Sequence, residues 1–241
     1  VEARDYLEKA RGFYRGCQPP DPLKLARVAN LLSEVERVEG RIEPARDCLD
    51  EAVRLCQETH LNDLPLWLSI ELNEGRLAAA TGNYAMALRK FDAVINCKEA
   101  LAEPADDLPC LARLNKGLLY RSLSRFERAR ELCEDAISQR RDQVGDHHVD
   151  LVPYYVALAA VCIDAGKLAD AKAGLDAVDV IFLEQRQSAT RQAAGSATEL
   201  EDDRLGAQAR HLRAMIDFCS YQAGSDVQDP ENTAKTWEGL L

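Results

Sequence analysis

The feature that most constrains the fold is a period. Ala3, Ala45, Ala87, Ala129 and Ala171 stand 42 residues apart, and four residues after each come Leu7, Leu49, Phe91, Cys133 and Leu175. Three further on are Ala10, Ala52, Val94, Ala136 and Val178. The spacing i, i+4, i+7 puts these side chains on one apolar face of a helix. Three residues before the repeated alanine lie Ile42, Tyr84, Phe126 and Leu168, and two before those Gly40, Gly82, Ser124 and Gly166. A second helix precedes each of these turn residues, with Ser33, Gly75, Gly117 and Ala159 seven positions ahead of the turn. Small side chains there and at the repeated alanine let two helices approach closely. Each unit therefore reads as a helix A, a tight turn, and a helix B packed antiparallel to it. One such hairpin cannot bury both its faces, so successive hairpins must stack.

The starts of helix A carry their own punctuation. "DP" at 21–22, "DLP" at 63–65, "DLP" at 107–109 and "DLVP" at 150–153 each offer an Asp followed by Pro. Asp accepts hydrogen bonds from the unpaired N–H groups of a first helical turn, and Pro lacks a donor that would go unpaired there. Asp21, Asp63, Asp107 and Asp150 are thus expected as N-caps. In the middle repeats, Glu71 and Glu74 on one helix A and Arg113 and Lys116 on the next suggest two cross-repeat ion pairs, Glu71 with Arg113 and Glu74 with Lys116; solvation of all four, or a rotated helix A, is the alternative.

This pattern resembles the tetratricopeptide repeat, whose units carry a small residue, a turn Gly, an aromatic two later, then Ala, an aromatic or Leu, and Ala. "GNYAMALRKFDAV" (82–94) and "GKLADAKAGLDAV" (166–178) fit it. The common unit has about 34 residues. Units of 42 residues look like those of kinesin light chains, and "GDHHVDLVPYYVALAAVCIDAGKLADA" (145–171) is similar to that subtype, with His148 where the subtype has Pro. The resemblance runs from residue 3 to about residue 187. The expected fold is all-α, a right-handed α-α superhelix of about five and a half hairpins with a groove lined by the A helices.

Residues 1–187 read as the repeat array, its first repeat lacking helix A, so that the array is expected to continue into further repeats before Val1. After Gly166 the spacing breaks. The segment 188–203 is polar, rich in Ala, Ser and Thr, and reads as a flexible insertion or an extension of the preceding helix. Residues 204–241 then read as a divergent, truncated repeat, with its helix B beginning at 232.

Charge and composition exclude several functions. There are 30 basic against 41 acidic residues, a formal charge of −11, which argues against nucleic acid or an anionic membrane as the main partner. No apolar run approaches the ~20 residues that span a bilayer. The eight cysteines form no C-x-x-C pair and lie singly in helical patterns, as reduced thiols of a cytoplasmic protein do. Asp146, His147, His148 and Asp150 are the one cluster with metal-ligand chemistry, but helix capping explains its acids. No phosphate loop, metalloprotease helix or nucleophile elbow occurs. Neither catalysis, metal nor cofactor is expected.

Binding remains. The expected groove residues are Arg27, Asn30, Asn73, Arg76, Asn115, Leu118 and Arg121. Asn73 and Asn115 occupy the same repeat position, where the resemblance implies an Asn that holds a peptide main chain. An amide suits that task because it both donates and accepts. Arg27, Arg76 and Arg121 would meet acidic side chains. The clamp with which chaperone-binding members of the family hold a terminal carboxylate is not assembled here. The expected function is a non-catalytic scaffold or adaptor for a protein or peptide partner with some acidic character. A regulatory peptide sensor controlling an attached domain, and an architectural spacer in a large ciliary or cell-division assembly, are the alternatives.

Overall fold

The computed structural model describes residues 2–61, 63–97, 107–192 and 199–222, with 186–192, 199–205 and 218–222 in backbone only. Among the described residues there are ten α-helices, one short 3-10 helix and no strand. The helices are α1 (Glu2–Gly16), α2 (Pro22–Val38), α3 (Ile42–Glu58), α4 (Leu64–Ala80), α5 (Tyr84–Ile95), α6 (Leu108–Ser122), α7 (Phe126–Val144), α8 (Val152–Asp164), α9 (Leu168–Gln192) and α10 (Glu199–Gln222). The chain divides into two compact units, Val1–Lys116 and Gly117–Leu241.

In the first unit α2 packs on α3 and α4 on α5, and α4 also touches α2 and α3. The periodic residues are what these contacts bury: Ala45, Leu49 and Ala52 of α3, and Ala87, Phe91 and Val94 of α5. Burying a side chain as large as Phe91 contributes roughly 1.5–3 kcal/mol. Helix α1 carries the same pattern but buries none of its residues. Ala3 is exposed and Leu7 and Ala10 are half-buried, because no helix A stands before α1 among the described residues. Ionic contacts tie it down instead, from Arg4 to Glu36 at 3.3 Å and from Arg11 to Glu51 at 3.3 Å.

The turns repeat in atomic detail. At the end of α2, Gly40 N–H donates to Arg37 O and Arg41 N–H to Glu36 O. The same two bonds recur at Gly82 and Asn83, at Ser124 and Arg125, and at Gly166 and Lys167. This pairing closes a helix only if the residue after the cap adopts a left-handed backbone. Gly40, Gly82 and Gly166 have φ of 76°, 78° and 72°, and Ser124 has 57°. His60, at φ 51°, ends α3 in the same way, a turn that the sequence pattern does not announce.

Asp21 and Asp63 form the expected N-caps. Asp21 accepts from Lys24 N–H at 3.0 Å and Asp63 from Leu66 N–H at 2.9 Å. Asp150 does not cap. It lies in the 3-10 helix Val149–Leu151, where His148 Nδ1 accepts from the Asp150 N–H at 3.2 Å. Its carboxylate pairs with the buried guanidinium of Arg140. A buried cation without a partner is costly, and that demand outweighs a cap hydrogen bond.

The expected cross-repeat ion pairs are replaced. Glu71 and Glu74 both close on Lys90 of α5, at 2.9 and 2.6 Å, and Lys116 reaches Asp92 of α5 at 2.5 Å. Helix B stands nearer to these A-helix positions than the next helix A does, and a lysine stem is long enough to bridge to it.

In the second unit α8 packs on α9, and α10 touches both. The core joins Leu151, Val152, Ala159, Ala171, Leu175, Val178 and Ile181 with Ala209 and Ile216 of α10. Helix α9 runs on to Gln192 and α10 starts at Glu199, so helix occupies both ends of the segment expected as an insertion. Its Ala, Gln, Glu and Arg residues favour helix. Residues 193–198, and the expected second helix at 232–241, lie outside the described residues.

Candidate peptide-binding groove

The A-helix face of the first unit holds a polar ladder. Asn30 of α2 donates from Nδ2 to Ser69 Oγ of α4 at 2.9 Å. Asn73 of α4 donates back, from Nδ2 to Asn30 Oδ1 at 3.0 Å and to Asn30 O at 3.4 Å. Arg76, one turn further along α4, donates from Nη1 to Asn73 Oδ1 at 3.2 Å and to Glu34 Oε1 of α2 at 2.8 Å. Its Nε reaches Asn115 Oδ1 of α6 at 3.3 Å, and Asn115 Nδ2 donates to Leu111 O at 2.6 Å. Asn30 and Asn73 are only 5% and 6% exposed. A buried amide left unpaired costs about 1–3 kcal/mol, so the ladder is what lets three A helices place amides at their contact.

Beside it lies a cavity of about 430 Å³ walled by α2, α4 and α6. Arg27, Asn30, Leu31 and Glu34 face it from α2, Ser69, Leu72, Asn73 and Arg76 from α4, and Leu111 from α6. Four of the expected site residues, Arg27, Asn30, Asn73 and Arg76, thus meet at one cavity, and Asn115 joins them through Arg76. Leu118 and Arg121 belong to the second unit. Leu118 is half-buried, and Arg121 Nε pairs with Asp164 Oδ2 of α8 at 2.6 Å.

The amides keep part of their hydrogen-bonding capacity. Asn73 Nδ2 donates to two oxygens of Asn30, and Asn115 Nδ2 bonds its own helix. What remains is one N–H each on Asn30 and Asn115 and one lone pair on each of the three side-chain oxygens. At the groove's α2 end, Arg27 Nη2 pairs with Asp63 Oδ2 at 2.6 Å. Burial alone would raise the Asp63 carboxyl, but the Leu66 N–H and the Arg27 guanidinium hold it below its ordinary value. At the other end burial pushes the Arg37 guanidinium down, and the neighbouring Arg76 charge adds to that.

The sequence signal for the Glu34–Arg76 contact is register. Arg76 stands 42 residues after Glu34, so opposite charges occupy equivalent positions on successive A helices. Leu31 faces the cavity with half its surface exposed, 50%, an apolar contact point among the amides and arginines.

The histidine cluster disperses. His147 Nδ1 lies 2.5 Å from Glu184 Oε1, while His148 and Asp150 are engaged as described above. Among the described residues no group of three or more His, Cys, Asp or Glu side chains is placed to hold a metal ion. Among them, too, no helix is long and apolar enough to cross a membrane. The buried thiol of Cys133 is pushed up to about 12 by desolvation, with Cys162 adding to it, so it stays protonated and packs as a small apolar side chain.

Comparison with known proteins bears on the fold. Residues 107–173 match the tetratricopeptide repeat family model. No curated protein matches the chain in sequence. Among solved structures the chain is similar to BtubC (BKLC) from P. vanneervenii, with 16% identity and a TM-score of 0.70 over 98% of this chain and 89% of that one. It is also similar to the nearly identical TPR-like repeats of a Podosopora anserina protein described as a kinesin light chain, with 16% identity and a TM-score of 0.58 over 91% and 93% of the two chains. A third likeness is to a Pyrococcus horikoshii signal transduction ATPase with a tetratricopeptide repeat sensor, at 14% identity and a TM-score of 0.56. It covers 91% of this chain and 37% of that one. At these identities the likenesses speak for the fold alone. The matched segment is tetratricopeptide repeat sequence, and the chain's hairpins share the fold of the tetratricopeptide-repeat structures to which it is similar.

Proposed function

We propose that the chain is a non-catalytic scaffold or adaptor of the cytoplasm, whose A-helix groove takes a peptide or helix of a protein partner. Tetratricopeptide repeats are in general protein-interaction scaffolds. The observation that carries the reading is the cavity of about 430 Å³ that joins Arg27, Asn30, Asn73 and Arg76 with the exposed Leu31. It offers an apolar anchor point flanked by cations and by the remaining N–H groups and lone pairs of the amide ladder. An extended segment needs such pairing for its main chain, and an apolar side chain needs such a pocket to leave water. The expected partner has some acidic character, which Arg27 and Arg76 would meet. In the second unit Leu118 and Arg121 are groove residues by the same repeat register.

The test is selection of short displayed random peptides on the full chain, followed by affinity measurement on the recovered sequences. Leu31→Asp puts a charge into the apolar anchor point and is expected to weaken binding by about tenfold or more. Recovery of no binding peptide, or affinities unchanged by Leu31→Asp, would overturn the reading.

A further inference from the structure

We propose that the guanidinium groups of Arg37 and Arg76 together form the receiving point for a side-chain carboxylate of the bound peptide, and that Glu34 occupies this point in the chain alone. The proposal rests on the reading of the groove as a peptide site and names the chemistry by which that site selects its ligand.

The geometry is two cations sharing one anion. Glu34 Oε1 stands 2.8 Å from Arg76 Nη1 and 3.9 Å from Arg37 Nη2. The other partners of Arg76 are the neutral amides of Asn73 and Asn115. Among the described residues Arg37 has no ion pair besides the 3.9 Å contact, and its Nε is buried without a hydrogen-bond partner there. Two positive charges therefore face one negative charge, in a place where the arginine side chains are 24% and 16% exposed. Like charges so placed repel, and the depressed basicity of Arg37 reflects its burial and then the nearness of Arg76.

A guanidinium presents five N–H donors in a fixed fork that matches a planar carboxylate. Among the described residues Arg76 Nη2 and the two terminal nitrogens of Arg37 make no short hydrogen bond. Glu34 is the removable member of the cluster. Its side chain is 40% exposed, so it can turn into water when another carboxylate takes its place. Removal of Glu34 would leave the two cations facing each other, which means that the chain alone keeps an internal stand-in for its ligand. A partner carboxylate gains only the difference between its own contacts and those of Glu34. The groove is thereby selective for acids held in the right place on a peptide and indifferent to acidic charge at large.

The experiment uses peptides recovered from the displayed library on the full chain. Each Asp or Glu in a recovered peptide is replaced in turn by Asn or Gln, and affinities are measured for wild-type chain, Arg37→Gln, Arg37→Lys and Glu34→Gln, with thermal melts to establish that each variant is folded. One acidic position is expected to lose about tenfold in affinity on conversion to the amide. That loss should shrink to less than about twofold in Arg37→Gln and be intermediate in Arg37→Lys, which keeps the charge and loses the fork. Glu34→Gln should tighten the acidic peptide several-fold and leave its amide counterpart unchanged. Peptides that bind through Leu31 yet lose the same affinity on amide conversion in wild type and Arg37→Gln would overturn this proposal alone. So would weaker binding of the acidic peptide to Glu34→Gln. Failure to recover any peptide sensitive to Leu31→Asp would overturn the groove reading and this proposal with it.

Discussion

Gly75 of α4 lies so close against Phe91 of α5 that a Cβ added at the glycine would stand 2.7 Å from Cε1 of the ring. The ring is 1% exposed and has nowhere to retreat. Gly75→Ala should therefore destabilise the chain by about 1–3 kcal/mol through overpacking, although alanine is the better helix former by about 1 kcal/mol. Urea unfolding measures it. Phe91→Leu in the Gly75→Ala background should recover part of the loss, because the shorter side chain vacates the place the methyl needs.

Ser124 does in the third turn what Gly40, Gly82 and Gly166 do in the others, at φ 57°. A residue with a Cβ is strained there by about 1–2 kcal/mol. Ser124→Gly is expected to raise stability by about 1 kcal/mol, less the greater freedom glycine gains in the unfolded chain. Gly82→Ala should lower it by a similar amount, and thermal melts of the two variants should move in opposite directions.

Lys90 answers two acids at once. Removing it in Lys90→Met leaves Glu71 and Glu74 facing each other and should cost about 1–2 kcal/mol, between the values for exposed and buried pairs. Burial alone would lower the Lys90 ammonium, but Glu74 and Glu71 hold it above its ordinary value of 10.5. Its contribution is thus fully present below pH 10.5 and fades as pH rises through the higher folded value. Alkaline melts of Lys90→Met should show a smaller fall with pH than the wild type.

Asp63 gives the opposite pH dependence. Its carboxyl is held below the ordinary value of 3.8, so its stabilisation is present above that value and is lost as pH falls through the lower folded one. Asp63→Asn keeps an N-cap acceptor and loses the charge facing Arg27. Its melting temperature should change less than that of the wild type between about pH 5 and about pH 2.

What could be read from the sequence was what repeats. The alanines, the Leu, Phe or Cys four residues on and the turn glycines recur at fixed spacing because close packing and a left-handed backbone admit few side chains. Their places in the helices follow from that spacing. The partners of Glu71, Glu74 and Asp150 did not follow. Glu71 and Glu74 turn to Lys90 because of how far a flexible lysine stem reaches, which spacing does not encode. Asp150 leaves its capping place for Arg140 for a related reason, since a buried cation elsewhere in the chain sets the local choice. The groove was legible as a face of the A helices. That the Asn73 amide would donate to Asn30 depends on the sideways distance between two helices, and the period alone does not set it.

The proposed groove places a partner peptide on the A-helix face of the first unit, beside Leu31. Photo-crosslinking tests it most directly. A benzophenone side chain is introduced at Leu31 in one chain and at Arg54, on the exposed face of α3, in another. A peptide recovered by selection on the full chain is predicted to crosslink at Leu31 and not at Arg54. Crosslinking at Arg54 with none at Leu31 would contradict the account.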